Sequence, residues 1–228
     1  MQELAINPFH FIRIRSLLAW SILGFVIAVF AVKVAFFCGA SESSSEVALL
    51  GIVTAWPLIW IRWKFGRHGM QVLDFLGCLP QRKPWLTWLF IVAALFGLSI
   101  GCLFLIWYPL SYVVPSFVDD VVLSNSTFLS DSGIPKPISS VLFEMVLAIV
   151  LTPVVEELCF RGIMLHRWAL KWGLRTSVIL SSVVFGILHV DLVGSVVFGF
   201  VMAVLYIRTK SLWVPILLHA LNNAAAYM

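Results

Sequence analysis

The chain reads as a succession of long apolar runs separated by short polar breaks. The first three are Leu17 to Phe37, Val47 to Trp60 (closed by Arg62 and Lys64) and Trp85 to Tyr108. A polar stretch follows from Ser111 to Ser140, with Asp119, Asp120, Asp131, Pro115, Pro135 and Pro137. Apolar runs resume from Val141 to about Leu165, from about Thr176 to Val190, from Val193 to Ile207 and from Leu212 to Tyr227. Runs of about 18–25 apolar residues cross the hydrocarbon layer as helices. In lipid, only a helix or a closed barrel satisfies its own backbone. The pattern predicts an all-α, polytopic transmembrane helix bundle of about seven spans. The last four spans are short or closely spaced, and their ends are the softest part of the reading. Between Gly66 and Pro84, the segment Met70 to Leu76 alternates at helical spacing, which predicts a short amphipathic helix lying in the interface.

Charge adds an orientation. Arg13 and Arg15 precede the first span; Arg62, Lys64, Arg67, Arg82 and Lys83 lie between the second and third. His166, Arg167, Lys171 and Arg175 fall between the fourth and fifth, and Arg208 and Lys210 between the sixth and seventh. The intervening loops carry Glu42 and Glu46, the acidic 111–140 stretch, and Asp191. Every second loop is basic, which predicts a cytoplasmic N-terminus and an external C-terminus. Lys33, inside the first span, reads as a side chain snorkelling to the nearer interface. Trp60, Trp63, Trp85, Trp88, Trp168, Trp172 and Trp213 sit at span ends, as aromatic belts do.

Composition agrees. Of 228 residues, 61% are hydrophobic and 11% charged, and mean hydropathy is +1.03; a soluble domain carries about 45–50% and about 25%. A single membrane domain results. Residues 1–140 form N-terminal helices and loops without a motif, and 141–228 form the part that carries chemistry. The net charge of +4 comes from loop cations, and no nucleic-acid-binding motif accompanies it. The partners expected are the bilayer and a peptide or protein substrate in or at it, with no nucleic acid. Cys38, Cys78, Cys102 and Cys159 show no metal or redox spacing; Cys159 lies within the acidic motif, and a role for it as a nucleophilic thiol would need a cationic, accessible setting. Met1 to Ser16 is too polar and short for a cleavable signal, so the first span is expected to be retained.

The candidate chemistry lies in the last four spans. Glu156 and Glu157 stand together in an apolar run, where a carboxylate costs roughly 2.5–3.5 kcal/mol on insertion scales and marks function. Glu157 and Arg161 are i, i+4 neighbours with the acid first, the better orientation for a pair. Glu156 is turned about 100° away, without a local partner, and is the carboxylate available as a base. Pro153 is placed to kink the same helix. His189 closes the fifth span. His219 and Asn223 share one face of the seventh, and Asn222 points elsewhere. A carboxylate and an imidazole can deprotonate water; an imidazole and an amide can hold an oxyanion. On the predicted topology Glu156 and His219 lie toward the cytoplasmic side, and His189 comes out deeper.

These residues resemble the CAAX prenyl endopeptidase and bacteriocin-processing (CPBP) intramembrane proteases, a family of glutamic endopeptidases that includes abortive-infection proteins. Its E-E-x-x-x-R, F-x-x-x-H and H-x-x-x-N/D motifs stand here as Glu156-Glu157 to Arg161, Phe185 to His189, and His219 to Asn223. The resemblance implies that Glu156 and His189 activate water, that His219 and Asn223 form the oxyanion site, that Glu157 and Arg161 support them, and that no cofactor is needed. It covers about the C-terminal third and does not name a substrate. The short loops suggest a bacterial inner-membrane protein. Three other readings use the same residues. Glu156, His189 and His219 could hold zinc, although H-E-x-x-H is absent. The fold could serve as a non-catalytic scaffold or bacteriocin-immunity protein. The acids could relay protons in a transporter, but no paired interrupted helices appear.

Overall fold

A computed structural model of the chain describes residues 12–39, 42–79, 85–115, 136–189 and 191–226. Most of the acidic 111–140 stretch, Arg82 and Lys83 lie outside them. The described residues form helices: α1 (Ile14–Phe37), α2 (Glu42–Gly66), α3 (Leu86–Ser111), α4 (Ile138–Trp172), α5 (Leu174–Ile187), α6 (Leu192–Thr209) and α7 (Trp213–Ala226). An all-α membrane bundle is observed, with one described helix for each of the seven apolar runs. Among the described residues, five helices are long and apolar enough to cross a membrane. The fifth and seventh runs form helices of 14 residues each, roughly 21 Å at 1.5 Å per residue, short of the ~30 Å hydrocarbon layer. In turn α4 is longer than its apolar run. His166, expected in a loop, is buried inside it, with Nδ1 2.8 Å from Gly162 O and Nε2 3.2 Å from the Tyr206 hydroxyl.

Packing puts the basic segments at one end. Ile12, Leu17, Trp60, Ile61, Phe65, Leu158, Ile163, Leu212 and Ile216 share one buried cluster. The start of α1, the end of α2 and the start of α7 therefore surround the C-terminal half of α4. Trp20 and Trp56 lock the α1–α2 hairpin: their rings stack at 5.0 Å, and each indole N–H donates to the other's backbone carbonyl, at 3.4 and 3.1 Å. Gly24 leaves the space that the Trp56 ring fills. A second cluster joins Trp88, Val92 and Leu95 of α3 to Phe160, Phe185, Phe198, Met202, Val214 and Leu218. Trp60 and Trp88 are thus buried between helices rather than placed in an interfacial belt, since a large ring fills an interhelical gap as readily as a headgroup layer.

Residues 66–79 are also more integrated than expected. Val72–Phe75 is a single tight turn. Leu76 behind it is buried, and its carbonyl accepts from the Leu212 N–H at 2.8 Å. Gly77, at φ +76°, lies where a Cβ would come 2.8 Å from Lys210 O. The segment therefore straps the α6–α7 turn instead of lying free in the interface.

The α5–α6 pair approaches through small residues, as membrane helices do. A Cβ on Gly186 would strike Val196 Cγ2 and come 2.8 Å from Leu192 O, and one on Gly199 would lie 3.1 Å from Ser182 Cα. Gly186→Ala forces the two backbones apart. It should cost about 1–3 kcal/mol, as overpacking does, and misplace His189 three residues on. Thermal unfolding in detergent checks this, and an unchanged midpoint would rule out the close seam.

Candidate active site

The site is built around a break in the α4 hydrogen-bond ladder. Wide π turns occupy Leu147–Leu151 and Leu158–Met164, with a short α segment, Thr152–Glu157, between them; such turns recur at functional sites. In the first, the Thr152 N–H bonds to Leu147 O, five residues back, and so is lost to Ala148 O. The next residue is Pro153, which has no N–H to offer. The Asn223 side-chain N–H donates to Ala148 O at 2.8 Å. Pro153 thus acts less as a kink than as the reason α4 has an open carbonyl for α7 to bind.

One turn later Glu156 and Glu157 diverge as the sequence suggests. Glu157 is fully buried, and its Oε1 accepts from Arg161 Nη1 at 2.8 Å. It also accepts from His219 Nδ1 at 3.0 Å, a partner 62 positions away that local spacing did not reveal. Arg161 is 1% exposed; its Nη2 donates to Gly199 O at 3.1 Å, and its guanidinium lies 4.8 Å from the Phe185 ring centre. Glu156 remains reachable: its side chain is 23% exposed, and that of His189 32%. Oε2 of Glu156 lies 3.8 Å from His189 Nε2 and 3.7 Å from His219 Nε2. It has no direct hydrogen-bond partner among the described residues. Both distances exceed direct hydrogen-bond length, so a water shared by Glu156 and an imidazole would sit beside the line joining them, on the cavity side.

The ring tautomers follow from the partners. His189 Nδ1 lies 2.7 Å from Phe185 O, and a carbonyl only accepts, so Nδ1 carries a hydrogen. In the neutral ring, Nε2 then presents a lone pair toward Glu156. His219 Nδ1 likewise donates to the Glu157 carboxylate, so its Nε2 bears a hydrogen only when the ring is doubly protonated. Phe185, buried, stacks on His189 with centroids 4.2 Å apart and an interplanar angle of 24°, and meets His219 edge-on at 6.0 Å. It holds both imidazoles and backs Arg161; the F-x-x-x-H motif marked Phe185 but not these contacts.

The mismatch in depth disappears. With α4 running to Trp172 rather than to about Leu165, Glu156 stands roughly 24 Å from the α4–α5 turn. His189, just past the end of α5, stands roughly 22 Å from it. Gly173, at φ +83°, makes that turn. All four candidates, Glu156, His189, His219 and Asn223, line one cavity of ≈ 170 Å³, far above the roughly 10–15 Å³ one water needs. Asn222, expected to point elsewhere, lines it too. So do Thr152, whose buried hydroxyl has no partner among the described residues, and Ser99 and Ser195. Among the described residues no three His, Cys, Asp or Glu side chains are grouped so that they could hold a metal ion.

Comparisons with known proteins bear on the same region. Residues 138–225 match the model of a family described as type II CAAX prenyl endopeptidase Rce1-like. The chain is 29% identical over 136 residues to a Bacillus subtilis (strain 168) protein named "Putative membrane peptidase YdiL", the match covering 55% of each chain. The chain thus spans about half the length of that curated relative. No solved structure matches it.

Proposed function

We propose that this integral membrane protein, whose residues 138–225 match the family model of type II CAAX prenyl endopeptidases, Rce1-like, is an intramembrane endopeptidase that hydrolyses a peptide bond of a membrane-associated or lipidated substrate with a water activated by Glu156 and His189. The carrying observation is the convergence of two imidazole Nε2 atoms, at 3.7 and 3.8 Å, on one carboxylate oxygen of the partly exposed Glu156 side chain.

The chemistry runs as follows. A water between Glu156 and His189 Nε2 gives up a proton to this pair as its oxygen attacks the scissile carbonyl. The carbonyl π electrons move onto oxygen, and the oxyanion is met by His219 Nε2–H and by the Asn223 amide hydrogen not committed to Ala148 O. The tetrahedral intermediate then expels the amine, which takes back the proton as the C–N bond breaks. Glu157 accepts from His219 Nδ1 and so balances the ring in its doubly protonated state, while Arg161 balances Glu157. No cofactor enters this scheme. The chain would work in a bacterial inner membrane with its N-terminus in the cytoplasm.

In cells lacking the chain, the intact protein and Glu156→Gln are each restored and the membrane proteomes compared. The proposal expects one or more membrane proteins to accumulate unprocessed with the variant alone. Cleavage by the purified protein should persist in the presence of a zinc chelator; loss on chelation and recovery with zinc would replace the metal-free scheme. A cellular phenotype fully rescued by the variant would instead favour a scaffold or immunity role.

A further inference from the structure

At the basic end of the bundle, away from the catalytic cavity, a hollow of ≈ 350 Å³ opens between the start of α1 and the end of α4. Arg13, Arg15, Arg167 and Lys171 line it together with Trp168 and Trp172. Among the described residues no acidic side chain lines it. Ile14 is the first residue of α1 and Trp172 the last of α4, so the hollow sits where both helices leave the apolar layer, the level that indoles prefer. The two rings lie 6.1 Å apart, with the Lys171 ammonium 4.5 Å from that of Trp172.

We infer that this hollow binds the phosphate headgroup of an anionic glycerophospholipid. Basic pockets between helices on the cytoplasmic side hold such headgroups, and forked guanidinium groups suit phosphate oxygens. What selects a lipid over a free anion is the surface below. Arg15, Leu18, Ile22 and Phe25 fall on one helical stripe, and the three apolar members are 50%, 64% and 54% exposed. A phosphate at Arg15 would have its acyl chains along that stripe. A neighbouring hollow at the end of α2, lined by Arg62, Trp63 and Arg67, shares no residue with this one and serves as its control.

The test is independent of peptidase activity. The purified full chain in detergent is titrated with short-chain phosphatidylglycerol, short-chain phosphatidylcholine and inorganic phosphate. Bound species are counted by native mass spectrometry and thermal unfolding is followed in parallel. Phosphatidylglycerol should bind saturably, more tightly than phosphatidylcholine, and raise the unfolding temperature. Arg15→Gln with Lys171→Gln should weaken it by about fivefold per cation, roughly 25-fold in all, while Arg62→Gln with Arg67→Gln leaves it nearly unchanged. Equal binding of the two lipids, or equal loss in both double variants, overturns the assignment. Displacement by inorganic phosphate at matching concentration reassigns the site to a free anion, and displacement by an acidic peptide reassigns it to substrate docking. If the variants do not fold, the comparison of lipids on the unaltered protein still decides.

Discussion

Glu156→Gln should lower peptide cleavage by about 10⁴-fold, the upper range for losing a positioned general base, and leave stability nearly unchanged. The substitution keeps shape and removes only the charge and the proton-accepting oxygen. It strands no buried partner, because Glu156 Oε2 makes no direct hydrogen bond among the described residues and the side chain is 23% exposed. Stability and activity therefore separate at this residue. The same change at Glu157 should not separate them, since that carboxylate is fully buried and receives both Arg161 and His219. Initial rates on a fluorogenic peptide, with thermal unfolding as the control, decide the matter. A Glu156→Gln protein retaining a tenth of the wild-type rate would falsify the water-activating role.

That contrast between adjacent glutamates was legible in the sequence, because i, i+4 spacing pairs Glu157 with Arg161 and leaves Glu156 turned aside. The helical, membrane-embedded character was legible too, since apolar runs of span length leave few alternatives. What the sequence could not carry was every relation set by helix lengths and long-range approach. Hydropathy ended the fourth helix at about Leu165 because His166 and Arg167 look like a loop. Yet His166 is satisfied inside the helix by carbonyls of a π turn and by Tyr206. The wrong end point produced the apparent depth mismatch of His189. The bond from His219 to Glu157 and the capture of Ala148 O by Asn223 depend on how α7 docks. No pattern along one chain encodes that directly. The Thr152-Pro153 pair was visible, but reading it as a kink missed the open carbonyl it creates.

The largest stability effect should come from Arg161. In Arg161→Met the Glu157 carboxylate stays at zero exposure, with only an imidazole beside it. Removing one member of a buried ion pair costs about 3–5 kcal/mol, because the remaining charge is uncompensated. The substitution also frees Gly199 O, which Arg161 Nη2 holds at 3.1 Å, and takes the guanidinium from the Phe185 ring. For a chain of this size the loss corresponds to a fall of roughly 6–20 °C in the unfolding midpoint. Arg161→Lys should recover only part of it, since a single ammonium cannot serve Glu157 and Gly199 in the forked geometry. The informative variant is the double one, Arg161→Met with Glu157→Gln. It removes both charges, keeps an oxygen for His219 Nδ1–H, and should regain most of the lost stability, as neutral replacements of buried pairs do. Activity should not return with it: an uncharged amide no longer balances the positive ring of His219 that the oxyanion requires. A double variant that is both stable and fully active would show that the Glu157–Arg161 pair only holds helices together. Stability without activity would place it in the machinery that sets the protons of His219.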